Sequence, residues 1–173
     1  MDKITTFAIF LLLTSFTIKQ PDAWKTIKGE GYTILCPPEW TIDSSGTVGT
    51  ELIFFTPMDS TGDQFRENFN LIVQDLSGLN MTLDKYTEIS VEQIKTLIQN
   101  SNLISSEKVQ EDGLVFQKLF YTGTSGMNKL KFEQFYFVHD EKAYVLTLTC
   151  AESTFDKFQK EGEQIMRSFF FTK

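Results

Sequence analysis

The sequence predicts an α+β fold, a central antiparallel β-sheet packed by two main helices, and three observations predict it. Short apolar segments alternating with a period of two recur between turn signals. The period becomes helical at two places, over Thr82 to Asn100 and again from Ser153. The late strands are joined by connections too short to cross a sheet, which makes neighbours antiparallel.

The first strand is Tyr32 to Cys36, with Tyr32, Ile34 and Cys36 on one face. Pro37-Pro38 removes two backbone donors and ends it, and Trp40 to Asp43 begins the return. Glu51 to Thr56 is the next strand, closed by Pro57, and a polar loop runs from Met58 to Asp63. Asn68 to Gln74 alternates cleanly, with Phe69, Leu71 and Val73 inward. Thr82 is the expected N-cap of the long helix, whose stripe is Leu83, Tyr86, Ile94, Leu97 and Ile98. A weaker strand over Leu103 to Val109 precedes three stronger ones at Val115 to Tyr121, Lys131 to His139 and Ala143 to Ala151. A flexible TGTSGMNK loop joins the first two of these, and a turn at Asp140 to Lys142 joins the last two. The terminal helix is expected to be capped by Ser153, with Asp156 at the reciprocal position. Its stripe is Phe155, Phe158, Ile165, Met166 and Phe169, and Gly162 reads as a weak point of about 1 kcal/mol relative to alanine.

A chain of 173 residues with 41% hydrophobic content, and no break in composition, reads as one domain with a core of ordinary size. Its 17 phenylalanines read as core filling. The formal charge is −7 and no stripe of Lys or Arg occurs, which argues against a nucleic-acid partner and against electrostatic docking on an anionic membrane.

Residues 1–23 read as an export leader with an uncharged run from Ile4 to Ile18, shorter than the roughly 20 residues of a spanning helix. A cleaved signal peptide is preferred and an uncleaved anchor is the alternative, so membrane contact is expected only through this segment. The leader holds two charges of each sign, so its removal leaves the charge at −7. Residues 24–173 form the expected domain.

Chemistry is sparse. His139 is the only histidine and sits in a turn-like "VHDEK" context, where a structural role is expected. Cys36 has no neighbouring cation to activate it. Asp59, Asp63 and Glu67 lack the order of a calcium loop, and two cysteines with one histidine give no zinc spacing. No phosphate-cradling glycine loop is present. No catalytic residue, metal or cofactor is therefore expected. Cys36 and Cys150 share parity with inward residues and are slightly favoured as a disulfide, worth on the order of 4 kcal/mol in the chain-entropy model, over two separate buried thiols. In Lys131 to His139 one parity carries Phe132, Gln134, Tyr136 and Val138, and the other Lys131, Glu133, Phe135 and Phe137. Neither face is cleanly apolar or polar. Phe135 and Phe137 are accordingly the candidate partner surface, against the plainer reading that a helix or the N-terminal strand covers them.

The run "YTILCPPEW", then "FFTP", "FRENFNLIV", a helix opening "LDKY", then "AYVLTLT" and a final "SFF" resembles the Mog/PsbP-like superfamily, with the bacterial DcrB-like envelope proteins as the closest branch. The resemblance spans about Trp24 to Phe171 and rests on packing and turn positions such as Tyr32, Pro37, Trp40, Asn68, Tyr86, Tyr144 and Phe169. It implies an α/β/α sandwich and a role in binding or assembly, and it carries no catalytic site. The expectation is an exported, non-enzymatic envelope protein with a protein partner. The alternative is a small-molecule carrier with an aromatic-lined groove between sheet and helix, and an unrecognised enzyme is third.

Overall fold

A computed structural model describes residues 24–58 and 65–172. The expected leader lies outside them, as do Asp59 and Asp63.

Seven antiparallel strands make the main sheet, in the order β3-β4-β5-β9-β8-β7-β6. These are β3 (Thr41–Asp43), β4 (Leu52–Phe55), β5 (Asn68–Asp75), β6 (Gln99–Glu111), β7 (Leu114–Ser125), β8 (Asn128–His139) and β9 (Lys142–Ala151). β1 (Lys25–Gly29), β2 (Tyr32–Cys36) and β10 (Phe170–Phe171) form a separate ribbon in which β2 is central. The two helices are α1 (Leu83–Leu97) and α2 (Phe155–Arg167).

From β6 to β9 the chain is a meander whose three turns have two residues each, because Glu111 pairs Leu114, Ser125 pairs Asn128 and His139 pairs Lys142. Asp112-Gly113 and Asp140-Glu141 all have positive φ, the backbone that lets a two-residue turn follow the twist of its strands. The expected TGTSGMNK loop is thus mostly strand, with only Gly126-Met127 in the turn. The weak strand proves to be the 13-residue β6, its alternation hidden by register shifts between Gln99 and Asn102 and between Leu103 and Ser105.

Period-two alternation sends the sheet's residues to two cores. Phe69, Leu71, Phe116, Phe135, Phe137, Leu146 and Leu148 face α2 and the ribbon, whereas Leu119, Tyr121, Tyr136, Ala143 and Val145 face α1. The layers are therefore helix, sheet, then helix with ribbon.

Thr82 caps α1 as expected, its hydroxyl accepting from Lys85 N at 3.2 Å. For α2 the N-cap is Thr154 instead of Ser153, and its hydroxyl is committed elsewhere, to the Glu67 carboxylate and the Ala151 carbonyl. Gly162 also reads differently in place. A Cβ there would stand 2.5 Å from Leu148 Cδ2, so the glycine is what lets α2 approach β9. At the double proline the chain turns back with Trp40 N donating to Pro37 O at 3.2 Å, and the buried Trp40 indole donates to Glu161 Oε2 on α2 at 2.8 Å.

Two candidate sites are corrected. Phe135 and Phe137 are 1% and 3% exposed, because α2 and β10 cover their face: Phe135 stacks on Phe116 at 4.5 Å and Phe137 packs on Phe169 at 5.2 Å. They are core and offer no partner surface. Cys36 and Cys150 are both buried, but both are free thiols. They sit on different sheets, and Cys36 Sγ turns back toward the carbonyl of Pro37 at 3.4 Å. Burial pushes the Cys36 thiol up to about 11 and the Cys150 thiol up to about 12, so both behave as small hydrophobes.

Candidate binding cleft and buried charge chain

Two arrangements stand out, one on each side of the main sheet. On the α2 side, five side chains from three strands and one helix line up a chain of charge. Glu133 on β8 is fully buried, with Lys118 Nζ of β7 3.0 Å from its Oε1. That approach is off the line a hydrogen bond needs, and neither carboxylate oxygen accepts one among the described residues. Lys118 reaches Glu163 Oε1 of α2 at 2.7 Å, Arg167 Nη2 reaches the same oxygen at 3.0 Å, and Arg167 also pairs with Glu111 at the end of β6.

Burial lifts the Glu133 carboxyl to about 7, and Lys118 offsets only part of that effect. Burial also works against the Lys118 ammonium, but its hydrogen bond to Glu163 and the nearby negative charge of Glu133 prevail and raise its pKa. For Glu163 burial is outweighed by Lys118 and Arg167, which hold its carboxyl low. This chain faces no roomy cavity. The nearest, between Arg167, Glu111 and the phenylalanines of that face, has about 30 Å³, the scale of one or two waters.

The α1 side differs. Between the inner face of α1 and strands β5, β7, β8 and β9 lies a cleft of about 220 Å³. Tyr86 comes from the first turns of α1, placed there by the Thr82 cap, and its hydroxyl donates to Gln74 Oε1 of β5 at 2.6 Å. Tyr136 of β8 donates to Gln134 Oε1 at 2.5 Å, and Gln134 Nε2 in turn donates to Thr147 Oγ1 of β9 at 2.9 Å. The Tyr86 and Tyr136 rings meet edge to face, 5.6 Å apart at 87°. Tyr121 of β7 stacks on Phe132 at 4.5 Å.

Its hydroxyl differs from the other two in having no hydrogen-bond partner among the described residues: the ring is buried, and the hydroxyl opens into the cleft. Burial raises the pKa of all three tyrosines, so their hydroxyls stay protonated. No Lys, Arg, Asp, Glu or His lines the cleft.

The remaining sequence candidates do not converge on it. His139 ends β8 half-exposed, stacked on Phe171 at 4.1 Å with Asp140 at 3.4 Å. Glu67 is buried against Thr154 at the start of α2. Sequence reasoning missed Gln74, Tyr121 and Gln134 as site residues. The signal available was the mixed face Phe132-Gln134-Tyr136-Val138, in which a glutamine and a tyrosine sit between two pure hydrophobes.

Comparison with known proteins bears on the fold. No curated protein matches the sequence. The solution structure of cyanobacterial PsbP (CyanoP) from Synechocystis sp. PCC 6803 superposes with a TM-score of 0.68 at 21% identity, over 92% of this chain and 99% of that one. LpqN, involved in cell envelope biogenesis of Mycobacterium tuberculosis, gives 0.63 at 10% identity, over 87% and 91%. PA94, a Pseudomonas aeruginosa protein of unknown function, gives 0.60 at 14% identity, over 87% and 98%. The PsbP family model matches residues 25–171, from the first strand of the ribbon to its last. A match that takes in both sheets and both helices leaves one assignment, that the chain belongs to the PsbP family.

Proposed function

We propose that this chain is an exported, non-enzymatic binding or assembly protein of the bacterial cell envelope. The family match over residues 25–171 carries the reading, and the shared fold of LpqN, a protein involved in cell envelope biogenesis, supports the location. The cleft supports the binding role. Its polar groups are amides, the Ser90 hydroxyl and protonated phenols, which suit holding a ligand and not proton transfer near neutral pH. No helix among the described residues is long and apolar enough to cross a membrane.

Native mass spectrometry on the protein drawn gently from the envelope fraction of its own cells tests this. A chain shortened within residues 1–23 and carrying a protein-sized adduct is expected. A full-length chain found in the cytosol and free of any partner refutes it.

A second reading, the small-molecule carrier, is favoured by the cleft beneath α1, which is far roomier than the slot on the α2 side. A small adduct that survives native ionisation distinguishes it from the first.

A further inference from the structure

We infer that the cleft beneath α1 is a site for a small uncharged ring compound bearing a hydrogen-bond acceptor, which Tyr121 recognises by donating its hydroxyl proton. The inference rests on the carrier reading and specifies its ligand.

Size comes first. A volume of about 220 Å³ holds many waters at roughly 10–15 Å³ each, which is room for a single-ring molecule with a polar substituent. Charge comes next. An ion moved into the cleft would lose hydration and meet no opposite charge, since the lining carries none. The ligand is therefore neutral. Aromatic walls decide its shape, because Tyr86, Tyr121 and Tyr136 all line the cleft and give it ring surface for an inserted ring to pack against.

Tyr121 decides its polarity. The hydroxyls of Tyr86 and Tyr136 are spent on Gln74 and Gln134, and those two glutamines brace them in fixed positions. The Tyr121 ring is equally fixed, by its stack on Phe132, yet its hydroxyl donates to no described residue. That hydroxyl is open to the cleft, so a ligand lying there can accept its proton in place of water. At the rim Leu97, the last residue of α1, is 77% exposed, an apolar side chain that a bound ring would partly cover.

The test uses three probes of one shape: benzamide, benzoate and toluene, each titrated at millimolar concentration into the isotopically labelled protein near neutral pH and followed by NMR. Benzamide is expected to shift the side-chain resonances of Tyr86, Tyr121 and Tyr136, and benzoate to leave them in place. Tyr121→Phe keeps the ring and its stack, so the amide spectrum should show the native fold while benzamide affinity falls roughly three- to tenfold, the range for one lost hydrogen bond. Benzoate binding as tightly as benzamide overturns the neutral-ligand inference. Toluene matching benzamide, or Tyr121→Phe leaving benzamide affinity unchanged, overturns the role of Tyr121 but keeps the carrier reading. Silence of the cleft to all three probes overturns both.

Discussion

Replacing Glu133 with glutamine should flatten the pH dependence of stability, because the native structure holds this carboxyl in a state that depends on its proton. Its pKa is 4.5 in the open chain and about 7 when folded. Between those values the folded protein holds a proton that the unfolded chain has released, so stability falls as pH rises from about 4.5 to about 7, and the full penalty is present above that window. At about 1.36 kcal/mol per unit the displacement is worth about 3 kcal/mol, to within a factor set by the partners. Those partners are Lys118 on β7, Glu163 and Arg167 on α2, and the Cys150 thiol on β9. Urea unfolding of the wild type and Glu133→Gln between about pH 4.5 and about pH 8 measures the effect. The variant should gain on the wild type by about 3 kcal/mol across that range. Lys118→Met should act in the opposite sense, costing about 3–5 kcal/mol at the alkaline end and less at the acid end, where the carboxyl takes a proton. A difference between wild type and Glu133→Gln that does not change with pH would refute the reasoning. It would mean that the buried carboxyl titrates as it does in the open chain.

Three further outcomes are expected. Phe135→Ala should cost about 3–5 kcal/mol in chemical denaturation, since the ring is 1% exposed and stacked on Phe116; a loss below about 1 kcal/mol would return it to the surface. Gly162→Ala should destabilise by about 1–3 kcal/mol despite better helix propensity, because its methyl would overlap Leu148, and Leu148→Ala in the same chain should remove most of that loss. In native protein both thiols should resist a thiol-reactive dye, with two equivalents released in denaturant; rapid labelling without denaturant would contradict the burial that raises their pKa to about 11 and about 12.

Where one face of an element was clean, the sequence was legible: β5 alternates as written, and the stripe of α2 is buried at all of Phe155, Phe158, Ile165, Met166 and Phe169. Legibility failed where packing came from a distant segment. β1 carries a single apolar residue, Ile27, and is a strand only because β2 lies beside it. Phe135 and Phe137 looked exposed by parity because the cover over them, α2 and β10, arrives from the end of the chain. The mixed character of β8 was visible but was read as one doubtful surface. It is two environments, with charge and phenylalanine under α2, and tyrosine and glutamine under α1. Leu97 continues the periodic stripe of α1, yet it is exposed because the helix ends at the rim of the cleft. The cleft itself was not legible, since an empty volume is a property of how far α1 stands from the sheet and no residue type announces it.

The three-stranded ribbon bears on the timing of synthesis. β2 lies between β1 and β10, so strands from opposite ends of the described chain, Lys25–Gly29 and Phe170–Phe171, flank one central partner, and Phe169 stacks on Tyr32 at 5.5 Å. A growing chain can form the meander early, but Tyr32 and Phe137 keep an open side until Phe169 and Phe171 have been made. The ribbon is therefore completed only after the main sheet, when Phe170–Phe171 pairs with Tyr32–Thr33.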